Sequence, residues 1–250
     1  MKLPNLCVVL LMLVLPMTCS ATDCVSSPRV VGAFGAMDKP VAPVSIPDAF
    51  RNQIPDVKTI RDILHTTLAA SGEQVVMYDS TTDELAPDPK IAIVSNGAVV
   101  ATFDVAKLVP HAEQAIYQTS CQIQLHADQS GFVVAYTLSG DGTGSAFILL
   151  AHIAGKYRVV FSRLVGQGRL VFQTGTMQLW ERTFDKSRQS ADSPNFECEW
   201  CDHRYLVATY RWRDNQYVKV ASNRTKTIFD PAQMTGTPVV IKALTPARSD

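Results

Sequence analysis

Between Gly131 and Ser222 the chain alternates apolar runs of strand length with short breaks of glycine or Asp-Asn, and this punctuation narrows the possible folds more than any other feature. Residues 132–138 and 146–153 are almost wholly apolar and rich in Val, Ile, Phe or Tyr. Runs of that length suit strands covered on both faces. The break between them holds Gly140, Gly142 and Gly144, which admit positive φ at little steric cost. After Ala154-Gly155, Tyr157, Val159 and Phe161 alternate with Lys156, Arg158 and Ser162, the period of a half-buried strand. Gly166 and Gly168 turn the chain again. Leu206, Ala208, Tyr210 and Trp212 then share one strand face, ahead of a two-residue hairpin signal at Asp214-Asn215. A helix would need apolar residues three and four apart, and the glycines interrupt that spacing. The expected fold is therefore mainly β, an antiparallel meander arranged as a propeller-like, sandwich or half-barrel structure.

The N-terminal half gives weaker signals. Val57, Ile60, Ile63, Leu64 and Leu68 predict one short amphipathic helix, with Asp56 near its start, Gly72 beyond its end, and Lys58, Arg61 and Asp62 on its polar face. Residues 74–78 read as a strand and 79–89 as an acidic loop. Asn96-Gly97 between two apolar runs predicts a type I′ hairpin over residues 91–103. Residues 104–118 fit a helical turn or a strand, and alternation from Cys121 to His126 points to a strand. Residues 187–194 read as a polar loop and 239–244 as an edge strand.

Residues 1–21 have the form of a secretory signal peptide: Lys2, an apolar run over 6–15, then Pro16 and small or polar residues ending at Ala21. The run is too short to span a bilayer. Pro28, Pro40, Pro43 and Pro47 make 22–54 an extended arm. Residues 55–245 form one domain, and 246–250 a disordered tail. The mature chain is expected to be periplasmic or extracellular with no transmembrane segment; the alternative is a lipoprotein anchored at Cys19. Of 250 residues, 46% are apolar and 18% charged, enough for a packed core. Formal net charge is zero, which argues against nucleic acid as a partner. The charge is unevenly placed, however. Residues 38–104 hold ten acids and five bases, residues 143–180 four bases and no acid, and residues 203–226 six bases and only Asp214. The two halves either compensate each other or leave a basic face for an anionic partner.

The mature cysteines are Cys24, Cys121, Cys198 and Cys201. In an exported chain four cysteines suggest two disulfides, with three pairings open. Cys198 with Cys201 would clip a turn, leaving Cys24 and Cys121 to pin the arm to the body. A thiol-disulfide redox pair at Cys198 and Cys201, with His203 and Arg204 stabilising a thiolate, is the competing reading. Zinc at Cys198, Cys201 and His203 lacks a second close ligand pair. Covalent haem attachment would need His directly after the second Cys, where Asp202 stands. The Gly140–Ser145 loop lacks the Lys of a phosphate loop and precedes a strand instead of a helix. Its single Asp141 is too few carboxylates for calcium. No Gly-x-Ser-x-Gly elbow or zincin histidine spacing occurs, so a hydrolase would have to use scattered carboxylates. No cofactor, metal ligand or catalytic residue is assigned. Trp200, Tyr205, Arg211 and Arg213 are the binding-surface candidates, either a platform for a polymer or protein ligand or core aromatics beside exposed arginines.

The unit SGDGTGSAFILLAHIAGKYRVVFSR resembles one blade unit of secreted FG-GAP or VCBS-type β-repeat proteins, in which a Gly/Asp turn precedes a buried strand and a Gly-Lys-Tyr-like turn opens the next. The resemblance covers about 30 residues. It implies β architecture and export, and carries over no functional residue. The function expected from these readings is a non-enzymatic binding module of the cell envelope or secreted space. The alternatives are the thiol redox protein and the hydrolase.

Overall fold

In the computed structural model, residues 42–229 and 239–240 are described, apart from 67, 69–71, 85, 114, 139–143, 167, 174, 184–188, 191–192 and 198–203. The protein is mainly β. A short helix α1 (Asp48–Gln53) precedes a first antiparallel sheet of β1 (Thr59–Thr66), β2 (Glu73–Asp79), β3 (Pro89–Ser95) and β4 (Ala98–Asp104). One helical turn, α2 (Val105–Leu108), leads to a second sheet of β5 (Ala115–His126), β6 (Gln129–Leu138), β7 (Gly144–Ile153) and β8 (Lys156–Gly166). The third sheet holds β9 (Gly168–Gln173) and β10 (Thr176–Arg182). The small pair β11 (Gln189–Ser190) and β12 (Ser193–Glu197) intervenes before β13 (Tyr205–Arg213) and β14 (Gln216–Arg224) complete it. Last, β15 (Val239–Val240) adds to β9 in parallel. Each sheet is open, and none closes into a barrel.

The three sheets stack face to face with the second in the middle. Val133, Ala135, Phe147, Leu149 and Ala151 face the third sheet, against Leu170, Phe172, Met177, Leu179 and Tyr210. The alternate residues Phe132, Val134, Tyr136, Ile148 and Leu150 face the first sheet, against Leu64, Val75, Met77, Ile91 and Ile93. Both sets of strand positions are buried, which is why β6 and β7 read as continuous apolar runs without alternation. Within the second sheet Gly131 has no room for a side chain between its two neighbouring strands: a Cβ there would lie 2.5 Å from the Leu150 carbonyl oxygen of β7 and 2.6 Å from Leu125 Cδ1 of β5. Outside the stack, Phe50 and Ile54 of the α1 segment cover Ile60, Val76, Tyr78 and Val94 on the outer face of the first sheet.

The hairpin signals at the surface turns hold. Asn96 and Gly97, Ala154 and Gly155, and Asp214 and Asn215 all have positive φ at the tips of paired strands. Strands β6 and β7 pair antiparallel up to Thr137 and Ser145, so Gly144 and Ser145 of the Gly140–Ser145 break belong to β7, and residues 140–143 lie outside the described residues. Two expectations need correction. The stretch from Gly131 to Ser222 is not one meander: Gly166 and Gly168 mark the crossing from the second sheet to the third. Residues 57–68 are not a helix. They hold β1, paired with β2, and the short N-terminal helix is α1, before it. A register shift between Ile60 and Asp62 lets Ile60 and Ile63 reach one face while Leu64 reaches the other. Apolar residues three and four apart thus arise in a bulged strand covered on both faces. Residues 112–117 resolve likewise, since β5 begins at Ala115.

Candidate functional site

The last hairpin, β13–β14, forms the free edge of the third sheet and carries the exposed candidates. Arg211 and Arg213 alternate with Tyr210 and Trp212, so they lie on the outer face of β13, opposite Val218 and Gln216. Tyr217 is buried toward the second sheet, and Lys219, two residues on, takes the same side of β14 but is exposed. Edge strand β8 of the second sheet packs against β14 and β10, with Phe161 meeting Tyr210 edge-on at 5.1 Å between ring centres. Val160, Phe161 and Val165 of β8 face the third sheet. Arg163 shares that side with Phe161 and Val165 but is exposed, and Lys156 and Arg158 are exposed along the same strand.

Edge strand β8 and the β13–β14 hairpin therefore present Lys156, Arg158, Arg163, Arg211, Arg213 and Lys219 to solvent, Arg211 and Arg213 from the outer face of the third sheet, and Asp214 is the acid on the hairpin tip. Among the described residues none of the six cations forms an ion pair. Several acids of the N-terminal half pair with bases of that half, as in Lys90–Asp56, Lys90–Asp88 and Lys107–Asp104. Trp212, partly buried, stacks edge-on against Tyr217 at 5.3 Å and stiffens the hairpin beneath the arginines. The Tyr217 hydroxyl donates to the Leu125 carbonyl at 3.3 Å, and burial raises its pKa, so it stays neutral and anchors the hairpin to β5.

Tyr205 is not a surface residue. It is 1% exposed and packs with Trp180 and Phe229 at ring-centre distances of 6.2 and 6.1 Å. Alternation along β13 turns it to the outer face, where this aromatic cluster covers it. Nearby Arg169 is 5% exposed, and burial pulls its pKa down to about 10. Trp200, Cys24, Cys198 and Cys201 lie outside the described residues, and Cys121 is buried in β5. Lys156, Arg158, Arg163 and Lys219 were not singled out individually by motif. The local excess of bases is the signal that marks them.

The buried polar groups lie between the first and second sheets and hold them in register. Arg61 donates to Asp79 at 2.6 Å, with both residues at most 5% exposed. Arg61 and Asp62 thus face the core, not solvent as a helical pattern implies. Tyr117 of β5 donates to Asp62 at 2.5 Å, and Ser120 to the same oxygen at 3.2 Å. Farther along, the Tyr157 hydroxyl donates to Glu73, which raises its pKa after the larger effect of burial. His152 stacks on Tyr157 at 5.0 Å. No group of three or more metal-ligating side chains occurs among the described residues, and no helix among them is long and apolar enough to cross a membrane. No protein-family model matches the chain, and neither does any curated protein sequence.

Proposed function

We propose that the protein is an exported, non-enzymatic binding module that holds an anionic polymer along the flank made by β8 and the β13–β14 hairpin. The observation that carries this reading is six exposed cations on edge strand β8 and on the hairpin whose strand β14 packs against it, none ion-paired among the described residues, in a chain whose net charge is zero. A concentrated basic flank on a neutral protein attracts polyanions locally without drawing the whole surface to them. The outer edges are also where an extended polymer can lie along the strand direction without displacing core. Export is supported by the apolar leader at residues 6–15 and by the four cysteines beyond Ala21, an even number that suits two disulfides in an exported chain.

The test titrates the full mature chain with polygalacturonate, using neutral dextran as control, at low and physiological salt. The expected result is binding to the polyanion alone, weakening as salt rises, because exposed charge contacts are screened. Replacing Arg211 and Arg213 by Gln, or Arg158 and Arg163 by Gln, should each weaken binding several-fold, since an exposed charge contact contributes up to about 1 kcal/mol. Equal binding by the four-arginine variant, or binding indifferent to salt, would refute the assignment.

A further inference from the structure

The outer face of the first sheet carries a second feature, a cleft of about 380 Å³ between the end of α1 and strands β3 and β4. Its floor is one cross-strand row: Tyr78 opposes Lys90, and Lys90 opposes Asp104. Asp56, just past α1, closes the row. It accepts from the Tyr78 hydroxyl at 3.1 Å and from Lys90 Nζ at 2.7 Å. Lys107 Nζ lies 2.9 Å from one oxygen of Asp104. The lining thus holds two lysines and two carboxylates, with Asp88 Oδ2 at 3.5 Å from Lys90 Nζ beyond it. Burial works to raise Asp56 and Asp104, but the lysine hydrogen bonds and charges outweigh it and hold both below the ordinary value. Ile54, Pro55 and Val99 form an apolar wall. Two acceptors in this lining, Asp104 Oδ1 and Gln53 Oε1, are buried without a hydrogen-bond partner.

We propose that this cleft binds a neutral, hydroxyl-rich ligand, a single sugar ring. The proposal is independent of the basic flank, which lies on other sheets. Charge rules out the simpler ligands. An alkylammonium satisfies the two acceptors but faces Lys90 and Lys107, and an anion suits the lysines but faces Asp56 and Asp104. A hydroxyl group donates and accepts at once, so it can give its proton to the Asp104 carboxylate while taking one from Lys107 Nζ. Adjacent hydroxyls reach the Gln53 amide in the same way. The C–H face of the ring is served by Ile54, Pro55 and Val99. The size falls within the range of small-molecule sites, about 300–1,000 Å³.

The test is an NMR titration of the isotopically labelled full chain with methyl glucoside, methyl galactoside and N-acetylglucosamine, with methylammonium and acetate as ionic probes. A sugar should shift the amides of residues 53–56 and 102–107 in a saturable way, and neither ion should. Asp104→Asn should weaken binding about tenfold, the usual scale for one hydrogen bond to a charged group. Thr102 is exposed on the edge strand, so Thr102→Arg should keep the folded spectrum while blocking the cleft and abolishing binding. The proposal fails if no sugar shifts these amides, if methylammonium or acetate binds there instead, or if Thr102→Arg leaves sugar binding unchanged.

Discussion

Removing the Asp79 carboxylate should be among the most damaging single changes available, and removing both members of its ion pair should not. Arg61 Nε and Asp79 Oδ2 are 2.6 Å apart, and the residues are 5% and 2% exposed. Asp79→Ala takes the carboxylate partner away from a guanidinium buried between the first two sheets. Breaking a buried pair from one side costs about 3–5 kcal/mol. With a urea slope of about 2 kcal/mol/M, the unfolding midpoint should fall by about 2 M. Arg61→Met should cost less, because a carboxyl can neutralise itself. Burial already raises the pKa of Asp79, and Arg61 offsets only part of that rise. Without Arg61 the native pKa climbs further. The native state of Arg61→Met then binds a proton more readily than the unfolded chain, so the variant should regain stability as pH falls through the native pKa. The double variant Arg61→Met/Asp79→Leu should return to within about 1 kcal/mol of the parent, since apolar replacement of a buried pair is often neutral. Urea unfolding of the four proteins supplies the cycle. An Asp79→Ala cost below about 1 kcal/mol, or a double variant as unstable as the worse single one, would refute the reasoning.

Phe147 is fully buried in the middle sheet, so Phe147→Ala should cost about 3–5 kcal/mol in the same assay. Gly131→Ala must push a methyl group toward the Leu150 carbonyl at 2.5 Å, and it should destabilise by about 1–3 kcal/mol; an unchanged midpoint would contradict the crowding of β6 between β5 and β7. Asp56 and Asp104 have lowered native pKa values, so their contribution is present above the unfolded value of about 3.9 and is lost as pH falls below it. Asp56→Asn and Asp104→Asn should therefore flatten the acid limb of a stability-against-pH curve and leave its alkaline limb alone. With the mature cysteines paired, thiol reagent should find no free thiol in denaturant without reductant, and reactive thiols in the native protein would favour the redox alternative at Cys198 and Cys201.

The turns were legible because their chemistry is local. Asn96-Gly97 and Asp214-Asn215 adopt positive φ wherever the chain needs a two-residue hairpin. The both-faces burial of β6 and β7 was legible because both runs are almost wholly apolar, with Thr137 and His152 only near their ends. Layer assignment was not. Gly166 and Gly168 look like any other glycine break, yet there the chain leaves one sheet for the next. β1 was misread for a physical reason: its bulge near Arg61 shifts the two-residue alternation, and cover on both faces hides what remains. The charges on β1 then appear solvated, although Arg61 and Asp62 are matched by Asp79 and Tyr117 from other strands. Such long-range partners leave no mark in local spacing. The basic flank was half legible: the excess of bases over residues 143–180 and 203–226 is plain, but the packing of β8 against β14 that joins the two runs is tertiary. Tyr205 was misplaced because alternation fixes a face without saying what covers it.

Native-state hydrogen exchange tests the stacking most directly. If the second sheet is covered on both sides, the amides of β6 and β7 should exchange only through global unfolding and track its free energy. The edge strands β4 and β14 should exchange far faster by local opening. Amides of β6 and β7 that exchange as readily as those edges would show that the sheet is not the middle layer.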